Sequence, residues 1–226
     1  MGHQDASRHA ARLIAFAVAL TVAGCATAFV SETQRLQAQS AFETATQQLE
    51  QRQFALALTS LQQATTLDPT VAIYRNVLGV VYLQLGRPDL ALPEFRRAIE
   101  LDDDYAEAHL NHGTALAAME RWAEAVTEYE RAMKSARLYT PDTAYNNLGV
   151  ALYHLGRLPE AEQALRFAIN LNQKLPTAYY YLGLIHLANN RKDEAKQSFR
   201  HTRELAPNSP FGQSAVERLR DLGEGG

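Results

Sequence analysis

A short pattern that returns at nearly constant spacing most restricts how this 226-residue chain can fold. A glycine preceded by leucine or histidine recurs at separations of 34, 36 and 34 residues, in Leu78-Gly79, His112-Gly113, Leu148-Gly149 and Leu182-Gly183. Small, large and small residues follow each glycine at fixed distances: Ala91, Ala125, Ala161 and Ala195, then Phe95, Tyr129, Leu165 and Phe199, then Ala98, Ala132, Ala168 and Thr202. Units of this length must stack, because no single unit buries its own apolar face.

Each unit is predicted to be two amphipathic helices joined by a turn, which falls near Gly86, Glu120, Gly156 or Asn190. The glycine lets the two helices approach closely, and the large residue fills the space beside it. This alternation of small and large positions resembles the tetratricopeptide repeat (TPR). The resemblance implies an all-α fold: a right-handed superhelix (solenoid) of about five helix-turn-helix repeats with a C-terminal capping helix.

The repeats are predicted at about 38–71, 72–105, 106–141, 142–175 and 176–209, with a cap at 210–222 and a tail at 223–226. The first repeat is degenerate, since it lacks the Leu-Gly pair. Pro93 lies one turn inside a second helix, where proline removes a hydrogen bond, so we expect that helix to start late or to bend.

The only cysteine, Cys25, ends the segment Val22-Ala23-Gly24-Cys25 behind a basic start and an apolar run at 13–22. That run is too short to span a bilayer as a helix. The layout is that of a secretory signal, and it resembles the bacterial lipobox. The resemblance implies a lipoprotein signal peptide at 1–24, an acylated Cys25 and, because Ala26 rather than aspartate follows that cysteine, the periplasmic face of the outer membrane. The polar stretch that follows is too short to be a domain, so 25–37 is interpreted as the acylated N-terminus and a tether. An ordinary signal peptide with an incidental cysteine is the alternative.

Composition excludes several classes of function. The net charge of -3 shows no basic excess of the kind that binds nucleic acid. No GxSxG elbow, HExxH motif or phosphate-binding glycine loop is present. We therefore expect no catalytic residue, cofactor or small-molecule substrate.

Two polar clusters are weak candidates for metal sites. His109 and His112 are spaced to share one helical face, and His154 or His186 could join them from later repeats. His112, however, occupies a buried leucine position of the repeat, so packed imidazoles are the preferred interpretation. The run 102–104 of three aspartates lacks the spacing and the glycine of a calcium loop. We expect no metal.

First helices line the inner groove in proteins of the family that the repeat resembles. The candidate partner-binding residues are Asn76, Val80, Leu83, Leu110, Thr114, Asn146, Asn147, Val150, Tyr153, Tyr180, Leu184 and Leu187. Among consecutive tyrosines, Tyr179 matches a core position and Tyr180 is predicted to face the groove. This surface is apolar and amide-rich with few cations, so it suits a peptide strand, a helix or a subunit surface of a protein partner.

The third repeat is two residues longer than its neighbours, and this insertion points to a particular group of TPR proteins. Two extra residues fall within Arg137-Leu138-Tyr139-Thr140-Pro141, before a repeat that begins AYNNLGVALYHLGRLPEAE. This resembles the PilW/PilF/Tgl-type lipoproteins (pilotins) of type IV pilus biogenesis. The resemblance implies a lipid-anchored protein that binds secretin subunits and promotes their localisation and assembly in the outer membrane. The alternative is a periplasmic TPR adaptor lipoprotein for peptidoglycan enzymes, polysaccharide export or another secretion system.

Overall fold

Turn residues and apolar positions divide the chain into helix pairs. The computed structural model describes residues 30–224, and within that range it contains eleven α-helices and no strand. The helices are α1 (Glu32–Glu50), α2 (Phe54–Leu67), α3 (Ala72–Gln84), α4 (Pro88–Leu101), α5 (Ala106–Ala118), α6 (Trp122–Ala132), α7 (Pro141–His154), α8 (Leu158–Leu171), α9 (Pro176–Ala188), α10 (Lys192–Leu205) and α11 (Pro210–Asp221).

The helices stack as five antiparallel pairs and a cap. Each first helix packs on its own second helix, and each second helix contacts the first helix of the next pair. First helices also contact one another, α3 with α5, α5 with α7, α7 with α9, and α9 with the cap α11. They therefore line the inner side of a curved stack, and the prediction of an all-α repeat superhelix is confirmed.

The glycine of each repeated pair allows the contact that joins the two helices of a repeat. A Cβ atom added at Gly79 would lie 2.5 Å from Cε1 of Phe95, and one at Gly183 would lie 2.5 Å from Cε1 of Phe199. The large residues themselves are fully buried. Any side chain at the glycine would therefore separate the helices or displace a core ring.

The turns inside the repeats use the left-handed backbone conformation at the predicted positions. The φ angles are 70° at Gly86, 59° at Glu120, 74° at Gly156 and 57° at Asn190, and Arg52 has 57° in the first repeat. After Gly86, the N–H of Arg87 donates to the carbonyl of Tyr82 and closes the helix end. Two repeats thus carry glycine where this conformation needs it, and the others accept a strained residue.

Two expectations need correction. Helix α1 begins at Glu32, so 32–37 of the predicted tether is helical, because Ser31 and Gln34 form a reciprocal capping box. Of the two alternatives for Pro93, the late start is wrong, because α4 begins at Pro88 and continues through Pro93. Pro93 is exposed, so water can satisfy the carbonyl of Asp89, which loses its helical partner.

A histidine–glutamate cluster ties α5 to α6. The Nδ1 atom of His109 lies 2.7 Å from Oε2 of Glu128, and that of His112 lies 3.5 Å from the same oxygen. Arg131 donates to the other carboxylate oxygen at 3.0 Å. Burial raises the pKa of Glu128, but the hydrogen bond with His109 and the electrostatic interactions with both histidines outweigh it and lower that pKa to about 2. The carboxylate is therefore a structural link inside the third repeat.

Replacing Glu120 by glycine should stabilise the protein. A non-glycine residue in the left-handed region costs roughly 1–2 kcal/mol of strain, which glycine removes. Glycine also makes the unfolded chain more flexible, which offsets part of this benefit, so we expect the free energy of unfolding to rise by about 1 kcal/mol. The converse change, Gly156→Ala, should cost about as much, because no atom lies within 4 Å of the added Cβ and only the backbone is strained. Urea unfolding followed by circular dichroism measures both. If both substitutions changed the free energy of unfolding in the same direction, backbone strain would not explain the difference between these turns.

The contribution of Glu128 should disappear in acid. Its folded pKa is about 2 against an ordinary 4.5, so the carboxylate stabilises the fold above the ordinary value, and this contribution is lost as the pH falls toward 2. We expect Glu128→Gln to lower the free energy of unfolding by about 2 kcal/mol near neutral pH, and the difference from wild type to shrink as the pH falls. Glu130→Gln, an exposed change on the same helix, is the control. A difference that does not depend on pH would refute the assignment.

Candidate partner-binding groove

The predicted groove residues all lie on first helices, but they are not equally accessible. Asn76, Leu110 and Asn146 are buried. The remaining nine are partly exposed: Val80, Leu83, Thr114, Asn147, Val150, Tyr153, Tyr180, Leu184 and Leu187. The inner surface is therefore formed by a subset of the predicted positions, and the buried members support it from below.

Amide side chains link successive first helices across this surface. Asn111 donates from Nδ2 to Oδ1 of Asn76 at 3.0 Å, and Asn76 donates to the hydroxyl of Tyr105 at 3.2 Å. One repeat further on, Asn147 donates to Oγ1 of Thr114 at 3.4 Å. These asparagine side chains thus make hydrogen bonds within the protein, and those bonds link α3 to α5 and α5 to α7.

The last three predicted residues pack against the cap. Tyr180, Leu184 and Leu187 adjoin a buried cluster that contains Phe199 of α10 and residues of α11. The ring of Tyr180 lies 5.4 Å from that of Phe211. Helix α11 occupies the place that the first helix of a further repeat would take, so these side chains hold the cap as well as lining the surface.

Tyr179 points away from the cap. Its ring lies 5.0 Å from that of His201 on α10, where it borders a surface cavity of about 490 Å³ between α8 and α10. His186 also borders this cavity, with Nε2 3.7 Å from carboxylate oxygens of both Glu162 and Glu194. Arg191 pairs with the same two carboxylates. This charged network joins repeats four and five on the side opposite the inner surface.

An aromatic cluster spans three repeats and the cap, and only one of its members, Tyr153, was among the predicted groove residues. We define it as Trp122, Tyr153, His154, Tyr181 and Phe211. The rings of Trp122 and His154 are stacked 4.0 Å apart with planes within 5°. Nε2 of His154 lies 3.2 Å from the hydroxyl of Tyr181, whose ring is 5.1 Å from that of Tyr153. Phe211 extends the cluster to the cap, 6.3 Å from Tyr181.

Helical geometry contained a signal for part of this cluster. Tyr181 lies one residue, or about 100° of rotation, beyond Tyr180, so its ring reaches Tyr153 of the preceding repeat while Tyr180 packs beside the cap. The stacking of Trp122 on His154 joins two different repeats and has no local sequence signal.

The aromatic cluster is uncharged. Burial lowers the pKa of His154, against an opposing effect of Glu120, so the imidazole is neutral near neutral pH. Burial, together with Tyr180 and Tyr153, raises the pKa of Tyr181, which keeps its proton. Helix α9 contains no Asp, Glu, Lys or Arg, and α7 contains only Asp142, in its first turn.

Within residues 30–224, no group of three or more His, Cys, Asp or Glu side chains is arranged to hold a metal ion. None of the helices in this range is long and apolar enough to cross a membrane. Cys25 and the predicted signal peptide lie outside the described residues.

Comparisons with known proteins identify the repeat. Tetratricopeptide repeat models match residues 42–106, 110–176 and 176–209. The type IV pilus assembly protein PilF of Pseudomonas aeruginosa is 28% identical over 120 residues, which are 52% of this chain and 46% of PilF. The chain thus matches less than half the length of that relative.

Solved structures share the fold at low identity. The crystal structure of PilW, titled a widely conserved type IV pilus biogenesis factor, has a TM-score of 0.72 at 21% identity and covers 81% of this chain and 86% of its own. The structure of Pseudomonas aeruginosa PilF has a TM-score of 0.67 at 19% identity, and the match covers 86% of this chain and 96% of the PilF chain. MamA has a TM-score of 0.64 at 22% identity, and the match covers 76% of this chain and 92% of the MamA chain. The repeated Leu-Gly pairs, the helix pairs and the family models agree, and the chain belongs to the tetratricopeptide repeat family.

Proposed function

We propose that this protein is a non-catalytic scaffold that binds a protein partner on its inner surface. The observation that carries the proposal is the continuous face of first helices, whose partly exposed groove residues are apolar, aromatic or amide-bearing, apart from the hydroxyl of Thr114. Stacked helical repeats use such a face to bind proteins. Apolar and aromatic side chains in a groove suit an extended or helical segment of a partner.

We further propose that the partner is a secretin subunit, and that the protein promotes secretin localisation and assembly for type IV pilus biogenesis. The 28% identity to PilF and the shared fold of PilW support this proposal. The insertion before α7 supports it as well. Arg137 pairs with Asp102 at 3.0 Å, and the N–H of Tyr139 donates to Glu107 at 3.2 Å.

These contacts hold the insertion against the preceding repeat while leaving Tyr139 85% exposed. An exposed tyrosine on a fixed backbone is a favourable contact for a partner, since little conformational freedom remains to be lost on binding.

Acylation at Cys25 would give the scaffold its location, at the periplasmic face of the bacterial outer membrane. Because α1 begins at Glu32, only six residues, 26–31, separate the cysteine from the helix. Such a segment reaches about 20 Å when extended. The anchor would hold the repeats next to the membrane and raise the local concentration of bound subunits there.

The alternative is a periplasmic TPR adaptor lipoprotein that serves peptidoglycan enzymes, polysaccharide export or another secretion system. The observation that favours keeping it is that the fold is shared with MamA, at a TM-score of 0.64, as well as with pilus biogenesis factors. The fold alone does not choose a partner.

Deleting the gene should leave secretin monomers at normal abundance but few heat-resistant multimers in the outer membrane, because assembly would lose its scaffold. Membrane fractionation and immunoblotting without boiling measure both forms. Complementation with the wild-type gene is the control. Normal multimers at their normal location would contradict the secretin proposal and favour the adaptor.

Cys25→Ser should abolish labelling with radioactive palmitate and release the protein into the soluble periplasmic fraction, since serine has no thiol to acylate. Thr27→Ser, two residues along, should leave labelling and fractionation unchanged. Persistent labelling of the Cys25→Ser protein would place the acyl chain on another residue and contradict the anchor proposal.

A further inference from the structure

We propose that the aromatic cluster is the main recognition point of the inner surface and that it binds an uncharged, apolar segment of the partner polypeptide. This inference rests on the scaffold function proposed above. It adds the chemical class of the bound segment and places it in repeats three to five, rather than evenly along the groove.

The first argument is preorganisation. Trp122, His154 and Tyr181 come from three consecutive repeats, and each is held by a stacked ring or a hydrogen bond to the next. The rings nevertheless stay partly accessible. Aromatic side chains already fixed in place lose little rotamer entropy on binding, and tryptophan and tyrosine are the residues most often dominant in binding energy.

The second argument is charge. Helix α9 carries no acidic or basic residue except histidine, whereas α10, on the outer side of the same repeat, carries seven: Lys192, Asp193, Glu194, Lys196, Arg200, Arg203 and Glu204. A charged partner residue placed on the α7 and α9 side of the cluster would lose water and meet no counter-charge from either helix beyond Asp142, which is costly. The matching occupant on that side is therefore uncharged.

The third argument is the extent of the uncharged surface. After Asp142, α7 and α9 contain no Asp, Glu, Lys or Arg, and these two helices carry Tyr153, His154 and Tyr181 of the aromatic cluster. No lysine or arginine on that stretch could pair with a C-terminal carboxylate, so an internal segment of the partner fits better than its terminus.

The test uses the full-length lipoprotein in lipid nanodiscs and a phage-displayed library of random twelve-residue peptides. Enriched peptides should share apolar or aromatic residues and lack charge at their centres. Trp122 is the only tryptophan, so their binding should change the tryptophan emission. Affinity should vary less than about twofold between low and high salt, because no ion pair is formed. Enrichment of charged peptides, or of none, would overturn the inference.

Two variants locate the binding. Tyr181→Ala should weaken the selected peptides about tenfold or more. Val150→Lys should weaken them similarly: it adds a charge to the inner surface of α7 and leaves every ring of the cluster in place. The matched control, Gln163→Lys, puts the same charge on an exposed position of α8 and should change nothing. Circular dichroism verifies that each variant is folded.

Unchanged binding in both folded variants would overturn the inference. The secretin multimer measurement is independent of this result. If multimers need the protein but the peptides bind elsewhere, the scaffold function stands and only the aromatic recognition point fails.

Discussion

The close contact between a glycine on the first helix and a large residue on the second helix, present in repeats two to five, is the interaction on which the structure depends. At Gly79 and Gly183 a phenylalanine ring fills the space that a Cβ would take, and at Gly149 the same place is filled by Leu165. Because this contact recurs with the repeat, every pair has nearly the same geometry. Uniform pairs stack in a regular way, and the inner surface follows from that regularity.

Stacking also decides which side chains remain for binding. Each first helix packs on its own second helix, and from α3 onward each also contacts the next first helix or, for α9, the cap. Only a narrow strip between these contacts stays accessible. Asn76 and Asn146 fall within the packed part, whereas His154 and Tyr181 fall in the strip. Charged residues are concentrated on the second helices, so the strip is neutral without any special arrangement.

Local rules therefore predicted much of the fold and only part of the groove. The helix pairs and the turns at Gly86, Glu120, Gly156 and Asn190 follow from spacing and turn chemistry within one repeat. The start of α1 at Glu32 could also be predicted from the sequence, since Ser31 and Gln34 have the spacing of a capping box. By contrast, the stack of Trp122 on His154 depends on how two repeats meet, which no single repeat encodes. The contact of Tyr180 with Phe211 likewise depends on the position of the cap.

The first repeat and the proposed recognition point lie at opposite ends of the stack. Helix α1 follows the segment that contains the proposed anchor, whereas the aromatic cluster centres on α7 and α9. Packed helices lie 8–10 Å apart, so four steps from α1 to α9 span roughly 30–40 Å along the stack. With an acyl chain at Cys25, the intervening repeats would act as a spacer that presents a bound partner segment away from the start of α1.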